Sequence, residues 1–537
     1  MKSTVYSLLI ILIISLMPTL TVHSADEMLL PQHECVKGDT VFMGDWSWYL
    51  KAPCEIPWDN TDPPIAQKTT DYYIDWSEPM RLTYFEGDDW QPKAVVQDSI
   101  IHLIWRHEGY EIEDIYYIRS TDWGESWSDT INLSLSGDTY VFGGYDIVVQ
   151  YNNLIAFWTT SSGGRDLFYA VSENHGSTWQ HMGRYDFNAS GPILCKLANN
   201  SVLLSFYDSY SSDRRYDFTT DWGQNWLGSE HLSYNGPGGR LPRIVSNVNF
   251  IHFGFDNSNI TQSTEIFYHH SSDYGQTWSI DNLITEDDGY PSQWPDNAVH
   301  DSVVHIAWFD MKYGGSEIIT VRSPDNGLTW EDEYRLSYSH VAMDSRIVAG
   351  DVGTFVVWND ARHLDSSNVE LYLRASFDDG QTWEPEERVT FAVGASAEPY
   401  LVLDGNTLYL FWIDTRDGLG YYEIYFKKGT INMTVVGNEY LNIPDKMSLS
   451  VSPNPFNSTT TIIYNRTLNT DREVIIEIYN LLGGLVKSLP IKKIKERSLQ
   501  IIWDATDNSG NKVSSGIYFA CIMEQHLITS IKVIYLR

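Results

Sequence analysis

The sequence predicts an all-β chain: a β-propeller of seven four-stranded blades, with six as the alternative count, followed by a small immunoglobulin-like β-sandwich. Three observations predict it. An octapeptide of turn-forming residues returns six times at near-constant spacing, and a fixed period of this length marks stacked supersecondary units. Between the copies, apolar and polar residues alternate over short runs rich in Val, Ile, Tyr, Phe and Trp, without helical periodicity. After "KKGTINMTVVGNEYLNIPDK" the repeat gives way to strands separated by Pro, Gly and Asn turns.

The octapeptide reads "STDWGESW", "SENHGSTW", "TTDWGQNW", "SSDYGQTW", "SPDNGLTW" and "SFDDGQTW", with glycines at Gly124, Gly176, Gly223, Gly275, Gly327 and Gly380, so the steps are 52, 47, 52, 52 and 53 residues. At the third position Asp122, Asn174, Asp221, Asp273, Asp325 and Asp378 can accept backbone N–H bonds inside the turn. Glycine supplies the positive φ that a Cβ opposes. Trp127, Trp179, Trp226, Trp278, Trp330 and Trp383 bring a large apolar surface suited to the gap between units, start the next strand, and need a partner for the indole N–H. Six such sites read as scaffold. None has the alternating acidic ligands and late Glu of a calcium loop, so no metal and no cofactor is expected.

One unit reads as an inner strand ("LPRIVSN"), a second ("NFIHFGF"), a third ("EIFYHHS"), the turn, and an outer strand begun by Trp278. The inner-to-third pattern occurs seven times, but the last copy, from Ala397, has no octapeptide after it. Its missing outer strand is found near the N-terminus, where "DWSEPMRLTY" matches "TWEPEERVTF" after a degenerate turn "TTDYYIDW". A ring closed by a borrowed strand has no free sheet edge.

This spacing resembles the Asp-box, or BNR, repeat of the sialidase-like β-propellers over residues 69–428. The resemblance implies the architecture and leaves the activity open. Sialidases hold a substrate carboxylate with three arginines and use a tyrosine, a glutamate and an aspartate. Here Lys93 stands in "QPKAVV" where the first arginine is expected, so no catalytic residues are assigned and a sialidase-type glycoside hydrolase is kept as the alternative to a glycan-binding propeller or an adhesive surface protein.

Lys2, the apolar run to Met17 and small residues before Ala25 make 1–24 a secretory signal. No later stretch is apolar enough to span a bilayer. In the arm 25–68, Cys35 and Cys54 could form a disulfide, whereas Cys195 and Cys521 read as small buried apolar residues. A formal net charge of −35 argues against nucleic acid or an anionic membrane as partner. Beyond a linker at 429–446, the module 447–537 carries "SPNPFNSTT", "IYNLLGGLV", "WDATDNSGNKVSSGIYF" and a final "KVIYLR". These resemble the C-terminal sorting domain of proteins exported by the type IX secretion system. That resemblance implies an outer-membrane secretion machinery as partner, and release or attachment at the cell surface.

If the octapeptide turns share one face, the second-to-third and outer-to-inner loops share the other, where function is expected. The former carry Asp360 with Arg362 and Asp414 with Arg416, which can simply pair. Aligned inner strands place Lys93, Asp146, Ile193, Arg243, Asn297, Arg346 and Tyr400 at one level of the central channel. Three cations in an acidic protein point to an anion site, such as a carboxylate on an extracellular glycan or glycoprotein.

Overall fold

β-Branched and aromatic side chains suit a half-buried pleated surface, and the alternating runs fold as strands. The computed structural model describes residues 71–536 except 110–112, 136–140, 162–164, 212, 234–242, 259–260, 364–367, 418–420, 435–447, 453, 466–473, 481–484, 492–497 and 525–526. The signal segment, the arm with Cys35 and Cys54, and most of the linker lie outside the described residues. Among the described residues every regular element is a strand.

Seven antiparallel sheets follow one another along the chain. The first blade is Asp88–Gln97, Ile100–Glu108, Glu113–Ser120 and Ile131–Asn132, and the second is Val141–Gln150, Asn153–Thr160, Asp166–Ser172 and Gln180–Asp186. The third is Ala189–Lys196, Val202–Asp208, Asp213–Thr219 and Glu230–Ser233; the fourth is Ile244–Asn247, Phe250–Asn257, Glu265–Ser271 and Asn282–Leu283. The fifth is Ser292–His300, Val303–Asp310, Glu317–Ser323 and Tyr334–Arg335; the sixth is Ala342–Gly350, Gly353–His363, Asn368–Ser376 and Glu387–Arg388. The seventh has Ser396–Asp404, Thr407–Asp414 and Glu423–Thr434, and takes its outer strand, Met80–Arg81, from the N-terminal side: Met80 pairs Phe426 and Arg81 pairs Tyr425. The expected closure is therefore present. Arg81 Nη2 lies 2.5 Å from Glu423 Oε1, and Thr83 Oγ1 donates to Glu423 Oε2 at 2.7 Å.

Each octapeptide folds as one hydrogen-bonded turn. In the fourth blade Asp273 accepts from Thr277 N, Thr277 Oγ1 and Ser271 Oγ, while Gly275 N donates to Ser271 Oγ at 2.8 Å. Gly275 has φ +85°, and a Cβ there would sit 2.5 Å from Phe218 Cζ of the third blade. The glycine thus admits the backbone and the neighbouring blade at once. Each turn meets the preceding blade in this way, Gly124 against Phe426 and Gly327 against Tyr268 among them.

The tryptophans depart from expectation in two respects. Trp278 precedes the outer strand, which starts at Asn282, because its ring turns back onto Tyr216 of the third blade at 5.5 Å. Nor do the indole N–H groups of Trp127, Trp179, Trp226, Trp278, Trp330 and Trp383 find a hydrogen-bond partner among the described residues. Edge-to-face ring contacts take that place, as for Trp330 on Tyr268 at 4.9 Å and 80°.

Two compact units divide the chain. The first is built mainly on Glu78–Asp404 and Leu408–Lys428, the second mainly on Gly429–Arg537. In the second unit Asp71–Trp76 is a strand paired with Gly429–Thr434, not a degenerate turn, because Tyr73 stands where the turn needs a glycine. The start of the expected linker, Gly429–Thr434, is therefore strand, the end of the seventh blade's third strand, which pairs with Asp71–Trp76. Farther on, a three-stranded sheet (Ser448–Ser452, Thr460–Asn465, Ser498–Trp503) and a four-stranded sheet (Val474–Asn480, Leu485–Ile491, Gly516–Glu524, Leu527–Tyr535) enclose Phe456, Ile462, Ile476, Ile478, Trp503, Tyr518 and Val533. Cys195 is a buried free thiol and Cys521 a half-buried one.

Candidate functional site

Inner strands bulge as they enter the channel. Pairing shifts register before Lys93, Ile193, Asp296 and Arg346, and Gln91, Trp294, Asp344 and Glu398 hold positive φ values of 50 to 56°. Bulges re-aim the following side chain. They gather Lys93, Asp146, Arg243, Asp296, Arg346 and Tyr400. Lys93 Nζ is 3.5 Å from Asp146 Oδ1, and Arg243 Nε is 3.9 Å from Asp296 Oδ1. The Arg243 guanidinium lies 5.0 Å over the Tyr400 ring, so the fourth and seventh blades meet across the channel. Arg346 Nη2 is 3.4 Å from Asp344 Oδ1. Two aligned residues are not at this level: Asn297 is 1% exposed and donates to Arg243 O and Gly254 O, because the bulge gives the channel place to Asp296, and Ile193 is in the apolar core.

Charge at this ring is balanced. Lys93, Arg243 and Arg346 face Asp146, Asp296 and Asp344. Burial lowers the Lys93 pKa, with Asp146 opposing and Arg346 and Arg243 reinforcing the shift. Asp146 also accepts from Leu194 N, and Asp296 from Ile347 N, each on the next blade. In the second-to-third loops Arg362 binds Asp360 and Glu386, Arg416 binds Asp414 at 2.6 Å, and Trp358 and Trp412 donate to the same aspartates. These arginines order their own loops.

A second arrangement escaped the sequence reading. In four blades a carboxylate at or near the start of the third strand holds an arginine of the outer strand, and that arginine underlies an aromatic ring three residues later. In the seventh blade Glu423 holds Arg81 beneath Tyr84 at 4.6 Å; in the fifth Glu317 holds Arg335 beneath Tyr338 at 4.3 Å. Glu370 holds Arg388 beneath Phe391 at 4.8 Å in the sixth, and Asp166 holds Arg184 beneath Phe187 at 3.5 Å in the second. Tyr84, Phe187 and Phe391 are 71%, 60% and 73% exposed. Octapeptide turns follow the third strand's end, so these rings, at its beginning, occupy the opposite face. The same spacing of arginine and ring is legible in "MRLTY", "YRLSY" and "ERVTF".

Residues 450–536 match the family model described as the secretion system C-terminal sorting domain. The C-terminal module is a sorting domain. Through this sorting domain the protein is exported, to be released or held at the cell surface. Among solved structures the chain is similar to a protein of unknown function from Dyadobacter fermentans (14% identity, TM-score 0.43, covering 67% of this chain and 99% of that one). It is also similar to an ulvan lyase of a new polysaccharide lyase family (13%, 0.47, 67% and 96%) and to a Hadza microbial sialidase (15%, 0.39, 64% and 66%). No curated protein matches the chain. Among the described residues no helix is long and apolar enough to cross a membrane, and no cluster of His, Cys, Asp or Glu is arranged to hold a metal.

Proposed function

We propose that the exported propeller binds extracellular glycans through the face opposite its octapeptide turns. The observation that carries this reading is the set of guanidinium-backed aromatic rings there. An exposed ring on an ordinary surface rotates freely, whereas a ring held over an arginine, itself held by a carboxylate, is a fixed apolar plate. Such a plate suits the C–H face of a sugar ring, and placement on several blades suits an extended chain rather than a single residue. The channel cations are paired, Lys93 and Arg243 with aspartates of the next blade and Arg346 with Asp344 of its own strand, which sets the sialidase-type hydrolase behind the binding reading.

The test is a glycan-array screen of the full chain, followed by titration of the best oligosaccharide. Tyr84→Ala and Phe391→Ala should each weaken binding by about fivefold, near 1 kcal/mol per plate, with a near-unchanged Tm. No glycan bound, or equal affinity in the double variant, would remove the proposal.

A further inference from the structure

The third strands carry one break in their repeat. The residue after the leading carboxylate is Ile115, Leu167, Ile266, Ile318, Leu371 or Ile424 in six blades, and all six are 0% exposed. In the third blade the same place, after Asp213, holds Arg214, paired across the strand with Tyr207 as Ile318 is with Phe309. The Arg214 side chain is half-buried between the third and fourth blades. Its Nε donates to Ser205 Oγ at 3.1 Å, its Nη2 donates to Gly191 O at 3.0 Å, and the guanidinium lies 5.8 Å from the Phe253 ring.

No carboxylate answers it. Asp213 binds His231 and Asp208 faces Arg215, and among the described residues neither these nor any other acid pairs with Arg214. The undescribed stretches of the third and fourth blades, residues 212, 234–242 and 259–260, contain no Asp or Glu. Among the described residues Nη1 donates to nothing. Burial alone pulls the guanidinium down to about 9, with no neighbouring acid opposing it. Compare Arg81, Arg335, Arg362 and Arg388, each of which has a carboxylate within 3.0 Å. A cation in an apolar slot without its counter-charge lowers stability, and isoleucine or leucine fills the same slot in every other blade.

We infer that Arg214 is the receptor for an anionic substituent, a carboxylate, on a saccharide bound at this face. The guanidinium is already oriented by Ser205 and Gly191, which leaves the Nη1 edge for a ligand oxygen and limits the ordering cost of binding. Asp213 marks the third-strand end that carries the aromatic plates in other blades, so Arg214 stands one position inside that rim. The inference rests on the glycan reading only for the identity of the ligand, since the anion site is testable without any glycan chain.

The probe is sodium glucuronate, with glucose as the neutral sugar, sodium sulfate as the anion without a sugar, and sodium chloride at matched ionic strength. Thermal unfolding of the full chain is followed in wild type and in Arg214→Leu, which restores the residue type of the other blades. Expected are a glucuronate-dependent rise in wild-type Tm beyond that with chloride or glucose, its loss in Arg214→Leu, and a ligand-free Tm of the variant equal to or above that of wild type. A rise with sulfate as large as with glucuronate would overturn the carboxylate assignment in favour of a general oxyanion site. Equal responses of the two proteins, or no glucuronate effect in wild type, would overturn the site altogether. A lower ligand-free Tm in Arg214→Leu would make the arginine scaffold. Tyr84→Ala and Phe391→Ala leave Arg214 in place and Arg214→Leu leaves the plates in place, so loss of oligosaccharide binding in the former and of the glucuronate response in the latter are separate results, and either proposal can fail without the other.

Discussion

At the residue scale, the octapeptide shows one job done by two chemistries. Asp122 Oδ1 accepts from Ser126 N and Oδ2 from Ser126 Oγ, while in the second blade Asn174 Oδ1 accepts from Thr178 N and Nδ2 donates to Thr178 Oγ1. The asparagine closes the same turn without a charge. Hydrogen bonds from the Ser126 side chain and backbone, and then from Ser120, hold Asp122 at about 2, below its ordinary 3.8. A depressed folded value means stabilisation that is complete above the unfolded value and lost as pH falls through the folded one, here between about 4 and 2. Asp122→Asn should leave Tm near pH 7 within a few degrees and lessen its fall from pH 4 to pH 2. Thermal scans across that range check this, and an undiminished acid fall would show that the carboxylate's hydrogen bonds do not drive it.

At the element scale, the outer strands are short, often two residues, and side-chain bonds fix them where the backbone ladder is too brief to do so. Ile424 N donates to Thr83 Oγ1 and Thr83 to Glu423, as Ile318 N donates to Ser337 Oγ and Ser337 to Glu317. The closing strand uses the arrangement also found in the first, fourth and fifth blades. Glu423 is 1% exposed, so removing its guanidinium partner leaves a buried carboxylate without its charge pair. Arg81→Met should destabilise the propeller by about 2–4 kcal/mol, read as an earlier denaturant midpoint, and Arg388→Met in an internal blade should cost less because covalent connection keeps that strand in place. Equal effects at the two positions would show that the borrowed strand is no weaker than an internal one.

At the scale of the whole molecule, two units with separate cores set the propeller apart from the module that directs export. Removing the chain from Lys446 onward should leave the propeller's unfolding transition unchanged and stop delivery to the cell surface or medium, because the truncation deletes the sorting domain and none of the seven blades. Cell fractionation and calorimetry of the truncated chain check the two halves of this expectation. Normal surface delivery would remove the sorting role, and loss of the propeller transition would show that the units fold together.

The amino-acid sequence alone determined the repeat, the blade count and the borrowed closing strand, because each depends on local turn chemistry and period, and it made the export module legible through motifs that resemble a known sorting domain. A Gly at the fifth position of every octapeptide and alternating apolar runs carry the repeat and the blade count without reference to distant residues. Tertiary structure decided the rest. Whether Arg346 is a free cation or the partner of Asp344 depends on a bulge that turns the inner strand, and whether Asn297 or Asp296 faces the channel depends on the same one-residue shift. Tyr84 became a plate only when Arg81 was placed beneath it by Glu423, more than three hundred residues away. Arg214 lies in a stretch, "DRRYDFT", that reads as an ordinary charged strand. Its lack of a counter-charge is a property of the space between two blades, since charge compensation is set by what comes within a few ångströms rather than by what is adjacent in the chain.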